Sequence, residues 1–424
     1  MIIFLLKGLI RDRQRSLFPI LVVTIGVMLT VLLHCWFTGV IGDMIDASAR
    51  FSTGHVKVVT RAYAENMDQV PIDLALVQVN DLLKTLRNDF PTIQWVERIH
   101  FGGLIDLPDE NGETKAQGPA VGMAIDLLSG QSSEIERLNI GKSLKRGQMP
   151  KKSGEILISD EFASKLGLNP GSTATLISSS MFGSMTMQNF VIAGTIQFGI
   201  QVMDRGAIIV DITDARMALD MIDASSEVLG YLPGGMYNDE AADVVANQFN
   251  AAYEGSTDEF APVMLKLKDQ NDLAGMLDYM SSMIAIFIAV FIFAMSLVLW
   301  NVGLIGGLRR YGEVGIRLAI GEFKSHVYRS MIWESILVGI CGSSAGTLIG
   351  LGLAYLLQTK GLDIGYAMKN ATIMLPNVIR AHITPPAYFI GFIPGLFSTV
   401  LGTMLSGIGI YRRKTAQLFK ELEV

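Results

Sequence analysis

The stretch Leu308–Glu334, LRRYGEVGIRLAIGEFKSHVYRSMIWE, decides the architecture of this 424-residue chain. It is rich in Arg, Lys and Glu and lies between two long apolar runs. Because charged side chains are costly in hydrocarbon, the stretch must lie in water at a membrane face. Glu313 and Arg317 stand four residues apart, as paired charges on one helical face do, and Val314 and Leu318 extend an apolar stripe beside them. We therefore predict a short amphipathic helix that joins two membrane spans.

Composition and hydropathy are typical of a membrane protein with a substantial soluble part. Half of the residues are hydrophobic, 17% are charged, and the mean hydropathy is +0.40, which is too apolar for an ordinary soluble protein. Four uncharged runs each exceed the roughly 20 residues that cross a bilayer as a helix. These runs are 16–42, 280–308, 335–359 and 381–411. The first is longer than the roughly 7–15-residue core of a signal peptide and has no obvious cleavage site, so we predict a retained anchor.

Basic residues near the ends of these runs predict the orientation. Thirteen Lys and Arg residues lie in the N-terminal segment, in the stretch between the second and third runs, and in the C-terminal segment. The segment between the third and fourth runs holds three, Lys360, Lys369 and Arg380. By the positive-inside rule, both termini and the stretch Leu308–Glu334 are predicted to be cytoplasmic.

The long segment from Asp43 to Asp278 is then extracytoplasmic. It contains 33 acidic and 18 basic residues, a net charge of −15, which argues against nucleic acid as a partner because phosphate contacts need a basic face. The two cysteines, Cys35 and Cys341, both lie in apolar runs. The outer segment therefore has no disulfide and depends on burial of an apolar core.

Intermixed strand and helix patterns predict an α+β fold for this outer segment. Its clearest helix has Ser159 or Asp160 as N-cap and Gly167 in the left-handed position after its last turn. A later helix is predicted to be capped by Thr213 or Asp214.

Two further elements are predicted nearer the start of the outer segment. Residues 54–59 alternate as a strand, and His55 and Lys57 are predicted to lie on its solvated face. Residues 76–88 form an amphipathic helix pattern that includes Leu76. We expect two lobes, at about 43–222 and 223–278.

The predicted organisation places four transmembrane α-helices around this large α+β extracytoplasmic domain. The expected segments are an interfacial helix at 1–15, the first span at 16–42, the outer domain at 43–278, the second span at 279–308, a coupling helix at 309–326, the third span at 327–359, an extracytoplasmic loop at 360–384, the fourth span at 385–411 and a cytoplasmic tail at 412–424.

Two residue patterns suggest contact surfaces. A loop over 178–185 and the residues after it carry Met181, Phe182, Met185 and Met187, which either contact a lipid or protein partner or pack back on their own sheet.

In the third span, Gly342, Gly346 and Gly350 recur every fourth residue, a spacing that lets helices approach closely. This small-residue face serves either a subunit interface or packing within one chain. Glu334, near the cytoplasmic end of this span, is expected to be structural or to take part in coupling.

Catalytic and metal-binding patterns do not stand out. No GxxxxGK[ST] phosphate loop, no HExxH and no paired His/Cys metal spacing occurs, and the five histidines are scattered. We predict no catalytic residue, no metal site and no cofactor bound by this chain.

The run Arg310–Gly321 resembles the cytoplasmic-loop signature R-x-x-E-I-G-I-[LR]-[RK]-A-[IL]-G of the FtsX-like and MacB-like ABC transporter permeases. The N-terminal Leu9–Ser16, the C-terminal Tyr411–Ala416 and the outer stretch Glu155–Met221 are also similar to the corresponding parts of that family. Within the family, Gly54-His55-Val56 and Asp204-Arg205 look most like the lipoprotein-releasing, Lol-type permeases.

This resemblance implies a multi-pass permease of the bacterial inner membrane that dimerises with a second, identical or different, permease. It also implies a cytoplasmic ABC ATPase subunit as partner, which would bind ATP and Mg²⁺. The coupling residues would be Arg310, Glu313, Gly315, Arg317 and Gly321.

The expected function is ATP-driven movement of the outer domain that releases or exports a lipoprotein or another amphiphile from the membrane. Two alternatives stay open. One is a mechanical relay that controls a periplasmic enzyme or sensor, and the other is MacB-like efflux.

Overall fold

The computed structural model describes residues 13–108, 113–130, 132–199, 201–235, 237–270, 272–308, 311–363 and 378–412. The chain divides into a helical unit, Met1–Gly42 with Asp278–Leu362 and Val378–Val424, and an outer unit, Asp43–Leu277 with Asp363–Asn377. Four helices in the described residues are long and apolar enough to cross a membrane. The predicted fold class, four membrane helices with a large α+β domain between the first and second, is confirmed.

The α-helices are α1 (Arg13–Ser48), α2 (Arg61–Glu65), α3 (Val79–Asp89), α4 (Glu134–Arg137), α5 (Ile140–Ser143), α6 (Asp160–Leu166), α7 (Gln201–Asp204), α8 (Ile212–Leu219), α9 (Asp239–Ala251), α10 (Leu273–Leu308), α11 (Tyr311–Ala319), α12 (Lys324–Lys360) and α13 (Thr399–Arg412).

The strands are β1 (Val56–Thr60), β2 (Leu76–Val77), β3 (Gln94–Pro108), β4 (Thr114–Ile125), β5 (Leu144–Gly147), β6 (Glu155–Ser159), β7 (Thr173–Ser179), β8 (Met185–Ile196), β9 (Ala207–Asp211), β10 (Ala224–Ser225), β11 (Glu227–Tyr231), β12 (Pro262–Lys266), β13 (Leu362–Asp363) and β14 (Val378–Ile379).

The long helices extend past the apolar runs that predicted them. α1 continues beyond Gly42 to Ser48 and then into a π-helical turn, Ala49–Thr53. α10 begins at Leu273, several residues before the predicted span. Apolar composition sets only the part of a helix that can cross hydrocarbon, whereas its backbone hydrogen bonds continue equally well in water.

The fourth span, Pro385–Ile408, is not one regular helix. It starts with a 3₁₀ turn, Pro385–Tyr388, passes through a π-helical segment, Ile393–Ser398, and only then becomes α13. Pro394 lies inside this irregular part, where a missing backbone N–H is tolerated better than in a regular helix. Parts of three predicted segments, residues 1–12, 364–377 and 413–424, lie outside the described residues.

The outer unit is built on a ten-stranded mixed sheet with strand order β12-β1-β11-β3-β4-β9-β6-β8-β5, and β7 pairs with β3 and β8. The pairs β4/β9 and β6/β8 are parallel, and the other pairs are antiparallel. Helices and strands therefore share one layered α+β arrangement, as the sequence predicted.

The predicted lobe boundary near residue 222 is wrong. β11 and β12, assigned to a separate second lobe, pair with β1. One apolar cluster joins Val58, Leu83 and Val228, so it draws on both ends of the segment. Pairing with β11 and β12 satisfies the backbone N–H and C=O groups on both sides of β1, which would otherwise be unpaired.

The helix caps and helix boundaries predicted from the sequence are partly correct. Ser159 caps α6 by accepting from the Phe162 N–H at 3.4 Å, and Gly167 adopts the left-handed conformation with φ 74°. The cap of α8 was misplaced: Asp211, at the end of β9, accepts from the Thr213 N–H at 2.9 Å. Leu76 is not helical either, since it pairs with Ser225 in β2.

Candidate functional site

The predicted coupling helix is present as α11. Its apolar side packs on the start of α12, where Val314 and Leu318 contact Val327 and Met331. Val314 is almost completely buried in this contact. The stripe of apolar residues read from the sequence therefore fixes which face of α11 turns inward.

α11 is shorter than the predicted range 309–326, because the chain turns sharply at Gly321. Gly321 has φ 103°, which favours glycine, and the Glu322 N–H donates to the Arg317 carbonyl oxygen at 3.0 Å. This turn lets α12 begin already at Lys324. Gly315 lies on the buried side of α11, where the lack of a side chain favours close packing.

The opposite side of α11 and the following turn form an exposed surface, which we call the coupling face: Glu313, Ile316, Arg317, Ile320 and Phe323. Ile320 and Phe323 are 82% and 80% exposed. Exposed aromatic and aliphatic side chains beside charges of both signs are typical of a protein-binding surface. The predicted coupling residue Arg310 lies outside the described residues.

The glycine face of the third span packs against α1 of the same chain. A Cβ at Gly342 would lie 2.7 Å from Val23 Cγ1, and one at Gly346 would lie 2.6 Å from the Thr24 carbonyl oxygen; Gly350 also faces α1. Packing within one chain is thus what these glycines provide here.

We did not expect the Gly-x-Ser-x-Gly pattern of hydrolases in this chain, and that expectation is wrong, because residues 342–346 read Gly-Ser-Ser-Ala-Gly. That pattern needs a strained strand-to-helix turn, whereas these residues lie inside the continuous helix α12. The match therefore carries no catalytic meaning.

A small cavity of about 50 Å³ lies within the helical unit, lined by Glu334, Ser335, Gly303 and Thr403 among others. The Ser335 hydroxyl is buried and makes no hydrogen bond within the described part of the chain. The cavity is large enough for a few water molecules.

The four apolar residues singled out in the outer domain do not share one loop. Met185 and Met187 belong to β8, and only Met181 and Phe182 lie in the turn between β7 and β8. Met181 packs on the core, whereas Phe182, Met185 and Met187 are exposed by 74%, 73% and 62%. β8 starts early because its first residues pair with β7, for example Met185 with Ser179.

The prediction of a solvated face on β1 is wrong, because β1 lies inside the sheet between β12 and β11. Lys57 Nζ lies 2.5 Å from a carboxylate oxygen of buried Glu227, whose other oxygen lies 2.9 Å from His100 Nε2. Burial acts to raise the pKa of Glu227, but Lys57 and His100 outweigh it and hold that pKa at about 2. The buried carboxylate is therefore ionised.

A second buried network surrounds Arg98, which has no exposed surface. Its Nε donates to Glu134 at 2.6 Å, and Glu134 also accepts from Arg137 Nη1 at 2.5 Å. The guanidinium of Arg137 stacks 3.6 Å from the ring centre of Tyr231. This arrangement desolvates two guanidiniums around one carboxylate, which is tolerated only with many compensating hydrogen bonds.

This network also holds the end of the first long helix. Arg98 Nη2 donates to the Arg50 carbonyl oxygen at 2.7 Å, and the Tyr231 hydroxyl donates to the Ala49 carbonyl oxygen at 3.1 Å. Carbonyl groups in the last turn of a helix carry partial negative charge and attract positive charge. Arg98 and Tyr231 therefore fasten the helix end to β3 and β11.

A polar cavity of about 690 Å³ lies beside this network in the outer unit. Its wall includes Asp46, Arg50, His55, Glu136 and Arg137. His55 Nδ1 accepts from the Leu232 N–H at 3.0 Å, and burial lowers the pKa of this histidine. The imidazole is therefore neutral, with its proton on Nε2.

Sequence reasoning missed both buried networks. A sequence signal existed for the first, because Lys57 is flanked by Val56, Val58 and Val59, a pattern typical of a fully buried strand. Its partner Glu227 is distant in sequence and could not be identified from the pattern. Within the described residues, no group of three or more His, Cys, Asp or Glu side chains is arranged to hold a metal ion.

Comparison with known proteins gives one family and several partial relatives. Residues 285–415 match the model of the FtsX-like permease C-terminal family. A macrolide export ATP-binding/permease protein MacB from Hyphomonas neptunium is 28% identical over 79 residues, 19% of this chain and 12% of the relative. A MacB from Wolinella succinogenes is 31% identical over 68 residues, 16% of this chain and 11% of the relative.

An uncharacterized ABC transporter permease of Methanocaldococcus jannaschii is 28% identical over 105 residues, 25% of this chain and 26% of the relative. The matched segments thus span at most about a quarter of these relatives. A crystal structure of the periplasmic region of MacB from Actinobacillus actinomycetemcomitans aligns with a TM-score of 0.36 at 9% identity, over 53% of this chain and 94% of that one.

Proposed function

We propose that this chain is an ABC transporter permease of the FtsX-like and MacB-like type and that it couples ATP hydrolysis in a separate cytoplasmic subunit to movement of its outer unit. Permeases of this family work with a cytoplasmic ABC ATPase. In this proposal the ATPase subunit binds ATP and Mg²⁺, this chain contributes no catalytic residue, and a second permease completes the transporter.

The coupling face is the observation that carries the proposal. Ile320 and Phe323 offer apolar area for a partner surface, and Glu313 and Arg317 offer charges of both signs that can orient it. α11 is held by its packing on α12, so a partner that moves α11 also acts on the third span. Attachment of a cytoplasmic ATPase here would place both chain termini in the cytoplasm.

Reversing the charges of this face tests the proposal. With Glu313→Lys combined with Arg317→Glu, we expect at least about tenfold less ATPase to co-purify with the chain, because charge reversal at an interface costs several kcal/mol. The measurement is nucleotide hydrolysis in the affinity-purified complex. As a matched control, Asp81→Lys with Lys84→Glu swaps an exposed ion pair on α3 and should leave co-purification unchanged. Equal ATPase recovery from both double variants would contradict the proposal.

For the cargo we propose a lipoprotein or a similar amphiphile of the membrane. Supporting this, Leu104, Ile177 and Met187 lie opposite one another on the adjacent strands β3, β7 and β8, so their side chains share one sheet face. Leu104 and Met187 are exposed. Such an apolar sheet face is suited to an acyl chain or an apolar protein segment.

Export of small amphiphilic molecules is the second candidate. It is favoured by the partial matches to proteins described as macrolide export permeases. The two candidates differ in the molecule that contacts the sheet face around Met187, an acylated protein in the first and a small molecule in the second.

A further inference from the structure

The polar cavity of the outer unit takes no part in the coupling mechanism, and its wall is charged. Two guanidiniums, Arg50 and Arg137, and two carboxylates, Asp46 and Glu136, line it. Its volume, about 690 Å³, falls within the roughly 300–1,000 Å³ of small-molecule sites. All four side chains belong to the outer unit, so the cavity is a feature of that unit alone.

A buried donor in this wall has no partner. His55 lines the cavity and is only 2% exposed. Its Nδ1 accepts from the Leu232 N–H, which places the proton on Nε2, and within the described part of the chain no group accepts a hydrogen bond from Nε2. A buried N–H group without an acceptor costs free energy. His55 therefore offers a hydrogen bond to a molecule in the cavity.

Arg137 is a second donor, and its position is fixed. Its guanidinium stacks on the ring of Tyr231, and its bonds to Glu134 and Gln94 use one N–H group on each terminal nitrogen. Since a guanidinium carries five N–H groups, others remain for a ligand. A planar, rigidly held guanidinium is well suited to a carboxylate, whose two oxygens can accept from it together.

The imidazole, Arg137 and a carboxylate lie near one another. Burial is the main effect that lowers the pKa of His55, and the charge of Asp46 raises this pKa while that of Arg137 lowers it. Both charges are therefore close to the imidazole, because charge effects fall off with distance. A ligand that accepts from His55 and Arg137 would have Asp46 nearby as an acceptor for a positive group.

Charges of opposite sign are adjacent at two places in the wall. Asp46 is paired with Arg50 at 2.6 Å, but both side chains are about half exposed, so the pair is weak and can exchange partners. Glu136 precedes Arg137 in the chain, is exposed, and has no ion-pair partner in the described ranges. A ligand that carries opposite charges on neighbouring groups matches this arrangement.

The remaining chemistry narrows the ligand further. A quaternary ammonium prefers the open face of an aromatic ring, but Arg137 already covers the ring of Tyr231. A primary ammonium donates hydrogen bonds to carboxylates. Thr92, Gln94 and Ser133 also line the cavity, and their neutral side chains can hydrogen-bond an uncharged polar group.

We propose that this cavity binds a small soluble zwitterion of the α-amino-acid class with an uncharged polar side chain. Its carboxylate accepts from His55 Nε2 and Arg137, and its ammonium donates to Asp46 and Glu136. The bound molecule bridges α1, which carries Asp46, and α4, which carries Glu136 and Arg137. The proposal is independent of the cargo and of the ATPase subunit.

Competition binding to the purified full chain tests the ligand class. Tritiated L-glutamine serves as the probe in equilibrium dialysis, and we expect saturable binding. L-glutaminamide lacks the carboxylate and N-acetyl-L-glutamine lacks the ammonium, so each should compete at least about tenfold less well than L-glutamine, which corresponds to one charge-assisted hydrogen bond. Absence of saturable binding, or equal competition by either blocked compound, would overturn the proposal.

Two variants locate the binding. Asp46→Asn and Glu136→Gln remove exposed carboxylates and leave the buried network around Arg98 intact, and each should weaken L-glutamine binding about tenfold. Competition by N-acetyl-L-glutamine, which has no ammonium, should not become weaker in either variant. Asp81→Asn removes the carboxylate of an exposed ion pair elsewhere in the outer unit and is the matched control, with no effect expected. If neither cavity variant weakens the binding of L-glutamine, the molecule binds elsewhere and the assignment is wrong.

Discussion

Lys57 and Glu227 illustrate how much depends on single buried charges in this domain. Each is almost fully buried, and they lie 2.5 Å apart in adjacent strands. Such a pair adds little stability compared with an apolar pair of the same shape, but removing one partner leaves the other charge unpaired in the core. The consequence is a domain that tolerates few single substitutions at these positions.

We expect Lys57→Met to lower the free energy of unfolding of the outer unit by about 3–5 kcal/mol, because Glu227 loses its main counter-charge. Lys84→Met, which breaks an exposed pair on α3, is the control and should have little effect. Hydrogen exchange of β1 and β11 in the full chain measures the difference. Similar exchange in both variants would contradict the role assigned to Lys57.

The same carboxylate sets an acid limit on stability. The pKa of Glu227 is about 2 in the folded chain and 4.5 for the free side chain, so the unfolded state binds the proton more readily. Its contribution to stability is complete above pH 4.5 and is lost as the pH falls toward 2. The difference in the free energy of unfolding between the wild type and Lys57→Met should accordingly become smaller below pH 4.5.

At the scale of the elements, local signals in the sequence were reliable where one residue type is required for geometry. Gly167 after α6 and the apolar stripe of α11 are examples. Predictions from local sequence failed where the burial of a strand depends on pairing with strands that are far away in sequence. β1 reads as half-solvated, and only its pairing with β11 and β12 buries it. The valines around Lys57 are typical of a buried strand, but they do not identify the partner strands, which lie far away in sequence.

The contact between α1 and α12 depends on glycine. In Gly346→Ala the new methyl group would meet the Thr24 carbonyl oxygen and Val27, and we expect this overpacking to cost about 1–3 kcal/mol. Gly352→Ala is the matched control, since nothing lies within 4 Å of the corresponding position on the same helix. Thermal unfolding of the two variants in detergent makes the comparison. A Gly346→Ala chain as stable as the control would refute the close approach.

At the scale of the whole molecule, hydropathy and charge were enough to predict four membrane helices and a large domain after the first, because a bilayer imposes strict limits on length and polarity. The internal division of the outer domain was not predictable. One of its apolar clusters combines residues from both ends of the segment, for example Val56 and Met264, and that combination depends on strand order rather than composition.

The proposed transport cycle predicts that contact at the outer sheet face depends on nucleotide. A photo-reactive residue in place of Met187 should cross-link an acylated protein in membranes, and ATP should change the yield severalfold, since the cargo is released in each cycle. The same residue in place of Val244, an exposed apolar position on α9, serves as the control. Cross-links that do not respond to ATP, or that form equally from α9, would argue against cargo at this face.

The pairing of β1 with β12 has a consequence for how such proteins diversify. Neighbouring strands are about 5 Å apart, so the polypeptide enters and leaves the sheet at nearly the same place. A segment whose ends meet can be exchanged as a cassette, because its replacement leaves the flanking helices in their register. One set of membrane helices can thus acquire a new recognition domain, in evolution or in the laboratory. The junctions for such a replacement lie just before Val56 and just after Lys266.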